Sequence, residues 1–252
     1  MKQKDFEAWQ MVEARQWDRL QREHLAWLAR GRIGPGRIEL THPDFLGADL
    51  HGLRFPGARL VGPRLTGASL AGADLSDTEI TQGELTRAVL VYAGARRARW
   101  TDCDLTAASG DLSTFAGGTL TRCDWTAASL RRVSWAEAVV EGCTFDRADL
   151  TDVTWDGARV SGCSLRDATL ARVEGRDFDP RGSAARTVFR ECDLRGADLD
   201  RLRLSATRFE RCQVGGVRGR PSLLGDVRFV DCDRGTDVPE VGSGGANWAG
   251  WE

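Results

Sequence analysis

The sequence predicts an all-β solenoid preceded by one α-helix. Three observations carry that prediction: a large apolar residue at every fifth position, a second period of twenty residues laid over the first, and an amphipathic stripe confined to the first thirty residues. A sustained period of five belongs neither to a helix, whose period is about 3.6, nor to a simple strand, whose period is about 2.

In chain order the first element is the helix, assigned to residues 1–31. Phe6, Trp9, Trp17, Leu20, Trp27 and Leu28 fall near one helical stripe with the charges elsewhere. Gly31, Gly34, Pro35 and Gly36 then stop it. The end of a solenoid has to be covered, so a cap is the expected role. The rival is a docking or homodimer contact made by the apolar stripe.

The repeat follows, over residues 37–233. From Leu40 the series runs Phe45, Leu50, Phe55, Leu60, Leu65 and onward to Leu165 and Leu170. Of the 27 positions in that series only Ala95 and Gly110 are not large and apolar. Two residues before each centre sits a smaller inward residue, sorted into columns twenty apart. Cys103, Cys123, Cys143 and Cys163 form one column; Ala48, Ala68, Ala88, Ala108, Ala128, Ala148 and Ala168 form another; Val133, Val153 and Val173 form a third.

Ala48-Asp49-Leu50, Ala73-Asp74-Leu75, Ala148-Asp149-Leu150 and Ala197-Asp198-Leu199 resemble the A-(D/N)-L-x-x signature of the pentapeptide-repeat family, and the resemblance covers roughly residues 38–232. It implies a right-handed quadrilateral parallel β-helix in which four pentapeptides make one square coil and residues twenty apart stack. About nine coils at a strand spacing of ~4.8 Å give a rod roughly 45 Å long. The narrow interior explains the two columns: one inward position stays small while the other fills the axis, because interiors are close-packed.

After Leu170 the frame fails and returns at Phe189, Leu194, Leu199, Leu204, Phe209 and Val214, with the cysteine column resuming at Cys192, Cys212 and Cys232. One coil therefore holds nine extra residues. The Gly, Pro and Asp content near 175–185 reads as an inserted loop. Loops on rigid scaffolds carry function disproportionately, which makes Arg176, Asp177, Phe178, Asp179 and Arg181 candidate partner contacts, against the plainer reading of a tolerated insertion. Residues 234–252 form a Gly-rich tail bearing Trp248 and Trp251, two further candidates.

No catalytic, cofactor or metal site is expected. All seven cysteines occupy one inward column, where stacked side chains run parallel, whereas a disulfide needs converging Cβ atoms and zinc needs four ligands around a point. A packing ladder of small buried hydrophobes is the reading. His24, His42 and His51 have no ligand spacing, and no phosphate loop or dinucleotide glycine pattern occurs. With no signal-peptide core and no run of ~20 apolar residues, a cytoplasmic protein with free thiols is expected.

Function is then left to the outward positions. The residue before the centre on the cysteine side is often acidic (Asp44, Glu84, Asp104, Asp124, Asp193), and on the adjacent side it is often Arg59, Arg99, Arg159, Arg208 or Arg228. An acidic side beside a basic one would steer a partner, unless the charges simply pair across the corner. The family resemblance implies a DNA-mimic protein that modulates or protects DNA gyrase or topoisomerase IV, with Asp104 and Asp124 among its contacts. Three features depart from that type: residues 31–252 hold 32 acids against 29 arginines, the long helix is N-terminal, and only one insertion is visible. The alternative is a cytoplasmic adaptor docking an enzyme complex through helix, loop or tail. Neither reading calls for direct nucleic-acid or membrane contact.

Overall fold

The computed structural model describes residues 19–170, 183–219, 221–223 and 226–234. Helix α1 covers 19–29 and ends as its glycine predicts. Gly31 adopts φ 71°, its N–H reaches the Leu28 carbonyl at 3.0 Å, and the Arg32 N–H reaches Trp27 at 3.0 Å. That pair of bonds is a Schellman cap, which satisfies the last carbonyls of a helix.

Thirteen short strands follow: β1 Glu39–Thr41, β2 Arg59–Val61, β3 Glu79–Thr81, β4 Arg99–Thr101, β5 Thr119–Thr121, β6 Val139–Glu141, β7 Arg159–Ser161, β8 Ser183–Ala185, β9 Val188–Arg190, β10 Arg203–Ser205, β11 Arg208–Glu210, β12 Ser222–Leu223 and β13 Arg228–Val230. Ten of them form one parallel sheet in the order β1-β2-β3-β4-β5-β6-β7-β9-β11-β13. Leu40, Leu60, Ile80, Trp100, Leu120, Val140, Val160 and Phe189 are successive register partners, so the period of twenty is the coil. Isolated parallel bridges continue the same register on the other faces, for example Asp104↔Asp124 and Ser109↔Ser129. The chain is a parallel β-solenoid of about 9 turns with one N-terminal helix.

Four faces result. Face 1 is centred on Leu40 and its partners, face 2 on Phe45, Leu65 and Leu85, face 3 on Leu50, Leu70 and Leu90, and face 4 on Phe55, Leu75 and Ala95. Centres and the small residues two before them are buried together in one continuous core. Volume is traded within a coil: Trp100 and Phe115 share theirs with Gly110, where an added Cβ would lie 2.9 Å from Leu130 Cδ2. Trp100, Trp125 and Phe145 stack along the axis, as do Phe115, Trp135 and Trp155, and the two stacks meet edge to face. Aromatic pairs of this kind add to plain area burial.

Each corner turns on a residue two beyond the centre held in the left-handed region. Asp77, Arg97, Ala107, Leu112 and Ala127 have φ between 54° and 63° there, and Gly fills many of the rest. At the corners after faces 2 and 3 the central carbonyl accepts the N–H three residues on, as in Ala68 to Leu65 at 2.9 Å and Ala73 to Leu70 at 3.0 Å.

The insertion ends earlier than the sequence suggested. Ser183–Ala185, placed in the loop by composition, is strand β8 and pairs with β10. Ala184 is fully buried at a central position. The pattern hid it because alanine stands where nearly every other centre is large. Residues 171–182, including Arg176, Asp177, Phe178, Asp179 and Arg181, lie outside the described residues, as do 1–18 and the 235–252 segment with Trp248 and Trp251.

Candidate partner-binding faces

The corner between faces 1 and 2 explains the cysteine column. There the central carbonyl accepts from sulfur: Cys123 Sγ to Trp100 O at 3.5 Å, Cys143 to Leu120 at 3.6 Å, Cys163 to Val140 at 3.6 Å, Cys192 to Val160 at 3.5 Å, Cys212 to Phe189 at 3.4 Å. Cys103 and Cys232 do the same at the two ends of the column, toward Ile80 and Phe209. In return the N–H of Cys123 donates to Cys143 Sγ at 3.3 Å and that of Cys143 to Cys163 Sγ at 3.4 Å. Free Cys is thus more than filler; its thiol closes the hydrogen-bond account of an open corner. Pro43 and Pro63 occupy the same column nearer the N-terminus, where no N–H has to be placed.

The corner from face 4 to face 1 opens in the same way in the last coils, and threonine takes over. Thr187 Oγ1 donates to Trp155 O at 2.7 Å, and Thr207 Oγ1 donates to Ala184 O. All seven cysteines are free. The Cys103 thiol is pushed far above its ordinary range by its hydrogen bond to Cys123 and by burial, so it stays protonated and unreactive. Among the described residues no cluster of His, Cys, Asp or Glu is arranged to hold a metal ion. No helix among them is long and apolar enough to cross a membrane.

The charged outer residues pair mainly along the rod axis, from one coil to the next, and not across the corner. Arg97 grips Asp77 with two bonds of 2.7 and 2.9 Å, Arg122 grips Asp102 at 2.6 and 2.9 Å, and Arg131 grips Asp111 at 2.9 and 2.6 Å. Arg211–Glu191 and Arg190–Glu210 repeat the pattern. Partners in each pair are twenty residues apart. The supposed basic side is in fact mixed. Face 1 alternates Glu39, Arg59, Glu79 and Arg99 down the ladder, and Glu79 contacts Arg59 at 3.9 Å and Arg99 at 3.6 Å. On face 2, Arg64 interrupts the acids and bridges Asp44 at 2.7 Å and Glu84 at 3.7 Å. Asp193 lies 2.6 Å from Arg195.

What remains is a short strip on face 2. Asp104 and Asp124 are register partners one coil apart, and Asp146 lies on the next coil two residues beyond the Thr144 that continues their column, all three without a salt bridge among the described residues. Asp104 accepts the Thr106 N–H at 2.9 Å and the Thr86 hydroxyl at 2.8 Å. Burial works to raise its carboxyl, but those hydrogen bonds outweigh burial and hold it below the ordinary range. Asp124 accepts the Thr126 N–H at 2.8 Å, and Asp146 accepts from Ser164 Oγ. Hydroxyls and backbone N–H groups of threonines and Ser164 thus fix these carboxylates without neutralising them.

Face 3 carries a second feature that the column analysis passed over. Where other coils present Asp49, Ser69, Ser129 or Asp149, the third presents Val89 and Val91, with Tyr92 at its corner 66 % exposed. Ala71 and Leu112 flank them on the neighbouring coils. The signal was present in the sequence as an apolar break in a polar outward column.

Comparison with known proteins agrees with this architecture. The pentapeptide-repeat model matches eight copies, over residues 44–82, 143–174 and 183–217. Among solved structures the chain is similar to HetL, a pentapeptide repeat protein involved in heterocyst differentiation regulation from the cyanobacterium Nostoc sp. strain PCC 7120. The identity is 20 %, over 83 % of this chain and 92 % of that one, with a TM-score of 0.40. It is also similar to a trypsin-treated form of QnrB1, a plasmid-mediated fluoroquinolone resistance protein, at 18 % identity over 79 % of this chain and 92 % of that one, with a TM-score of 0.43. No curated protein matches the sequence.

Proposed function

Starting from a chain that belongs to the pentapeptide-repeat family, we propose that it is a non-catalytic rod that binds another protein, and that the partner is a type II topoisomerase, DNA gyrase or topoisomerase IV, met by the acidic strip of face 2. One observation carries the reading: Asp104 and Asp124 are held by threonines and Asp146 by Ser164 and the Arg166 N–H, none with an arginine side chain bridging it among the described residues, while most other outward acids are bridged. Asp104 and Asp124, one coil (~4.8 Å) apart, with Asp146 offset on the next coil, present an unneutralised negative patch to a basic groove. Such a strip acts more on the association rate than on final affinity, and its effect falls with ionic strength.

The test is a supercoiling assay with purified protein, with and without a quinolone. Inhibition or drug protection by the wild type, weakened in an Asp104→Asn/Asp124→Asn double variant and by added salt, supports the proposal. A wild type without effect in either format removes it.

The apolar break on face 3 favours a second reading, an adaptor that docks a protein through Tyr92, Val89 and Val91. Contiguous exposed apolar surface marks interaction sites on soluble proteins. A partner whose binding is lost in Tyr92→Ser and kept in the double Asn variant would put this reading first.

A further inference from the structure

His24 is fully buried under the cap and uses both ring nitrogens. Nδ1 accepts the Ile38 N–H at 3.1 Å, at the entry to the first coil, and Nε2–H donates to the Pro56 carbonyl at 3.0 Å, on face 4 of the same coil. One imidazole therefore ties α1 to both ends of that coil. Its ring stacks on Trp27 with centroids 5.2 Å apart, and Trp27 is itself buried and lies against Gly57. Beyond this histidine the cap segment is tied down by Gln21 Nε2 to Arg54 O at 3.0 Å, Arg32 to Asp77 at 2.5 Å, Arg37 to Gly57 O at 2.7 Å and to Glu79 at 3.4 Å, and by Leu20 packing against the core.

The Ile38 hydrogen bond needs the neutral ring. A protonated imidazole carries N–H on both nitrogens, so Nδ1–H would confront the Ile38 N–H and that bond would be lost, although the Gly36 carbonyl nearby favours the ring proton. The charged neighbours add to the effect. Arg37 and Arg32, from the linker after α1, repel a second positive charge; Asp77, from the second coil, is occupied by Arg32 and Arg97. On α1 itself Glu23 is engaged with Arg19. Burial, and after it the two arginines, hold the His24 pKa below its ordinary value of 6.5, against the pull of the Pro56 and Gly36 hydrogen bonds.

We propose that His24 makes the cap a proton-operated latch: acidification protonates it, breaks the Ile38 and Pro56 contacts, and lifts α1 off the first coil while the rest of the solenoid stays folded. The sign follows from linkage. A histidine whose folded pKa is depressed binds more protons when released, so closure is fully supported above 6.5 and is lost as pH falls through the folded value. Each coil contacts mainly its neighbours, so loss of the cap does not require loss of coils further along. Opening exposes Ile38, Phe55 and the β1 edge, a parallel strand edge of the kind that templates association.

The chain contains three histidines, and the other two, His42 and His51, are exposed. The experiment follows histidine ring signals by NMR, together with the protection of the Ile38 amide against hydrogen exchange, from pH 7.5 to 4.5 in the full chain. In the wild type His24 should titrate below its ordinary 6.5, and Ile38 protection, corrected for intrinsic exchange, should fall by up to about tenfold per pH unit below 6.5, the slope of one linked proton, and level off once the folded ring has itself titrated. His24→Gln keeps an acceptor and a donor without a titrating group, so its Ile38 protection should stay flat over the range with coil 5 amides unchanged. The proposal is overturned if His24→Gln shows the wild-type slope, if His24 titrates at or above 6.5, or if coil 5 loses protection at the same pH as Ile38. A His24→Gln chain that fails to cap at neutral pH leaves the wild-type comparison of His24 titration with Ile38 protection, which decides by itself.

Discussion

Replacing Cys143 by threonine and by valine separates hydrogen bonding from packing in the cysteine column. The two replacements have nearly the same shape, and at a buried apolar position threonine is normally the worse of the two because its hydroxyl is desolvated. At Cys143 the order should invert. The Leu120 carbonyl, a ladder acceptor of β5, also takes the thiol at 3.6 Å, and the Cys123 N–H points at the same sulfur from 3.3 Å. Valine removes the carbonyl's second bond and leaves the Cys123 N–H without a partner. Threonine supplies an O–H and a lone pair, as Thr187 and Thr207 do at the neighbouring corner. A buried group deprived of its partner costs about 1–3 kcal/mol, and the sulfur bonds lost are weak, so Cys143→Thr should exceed Cys143→Val by about 1–2 kcal/mol. Urea unfolding followed by circular dichroism reads this as a midpoint higher by about 0.5–1 M if the slope is near 2 kcal/mol/M. Repeat arrays depart from two-state behaviour, which is why the comparison is made between two variants of one site with matched slopes. Valine equal to or better than threonine would refute the hydrogen-bond account and return the column to packing alone.

Two further outcomes follow from the corners and the ladders. Ala127 sits at φ 57°, exposed at a corner, so Ala127→Val should lower stability by about 1–2 kcal/mol without removing any contact, whereas Ala127→Gly should be near neutral; thermal unfolding distinguishes them. The Arg97 fork, joined by Arg32 and opposed by burial, sets the Asp77 carboxyl below its ordinary 3.8, so the stabilisation it gives is complete above that value and is lost as pH falls through the lower folded one. Asp77→Asn should cost about 1 kcal/mol at neutral pH and remove that acid-side loss from a pH series of urea midpoints.

The inward half of the molecule was legible because stacking imposes it. A centre such as Leu120 is confined by Trp100 above and Val140 below, so its size and spacing are written into the chain at twenty-residue steps. Ala184 escaped because it fills a centre without being large. The outward half was misread for a different reason. Grouping charges by column suggested an acidic side and a basic side, but the pairing partner of an outward residue is the next residue in its own column. Glu39, Arg59, Glu79 and Arg99 alternate in sign, and the alternation is the information that averaging removes. His24 had no period to betray it; its two partners lie 14 and 32 residues away on different faces of the first coil.

The two candidate surfaces share a foundation. Asp104, Asp124 and Asp146 on face 2 and Leu112 on face 3 are carried by coils 4–6, where Trp100, Phe115, Trp125, Trp135, Phe145 and Trp155 fill the axis, and Val89 and Tyr92 sit on coil 3, stacked directly on the first of them. Close-packed aromatic stacks leave the outward positions little freedom, so a partner would meet side chains already in place, and less ordering cost would be taken from its binding energy. The same overlap determines which experiments discriminate. Cutting the solenoid, or emptying its aromatic core, would damage both surfaces together and would make a topoisomerase ligand look like an adaptor. Exposed single-site changes leave the core alone. Asp124→Asn alters the charge of one face by a single unit, and Tyr92→Ser removes the largest apolar group of the other. A partner that responds to the first and ignores the second, with loss of effect at high salt, is held by electrostatics; the reverse pattern, indifferent to salt, is held by apolar contact.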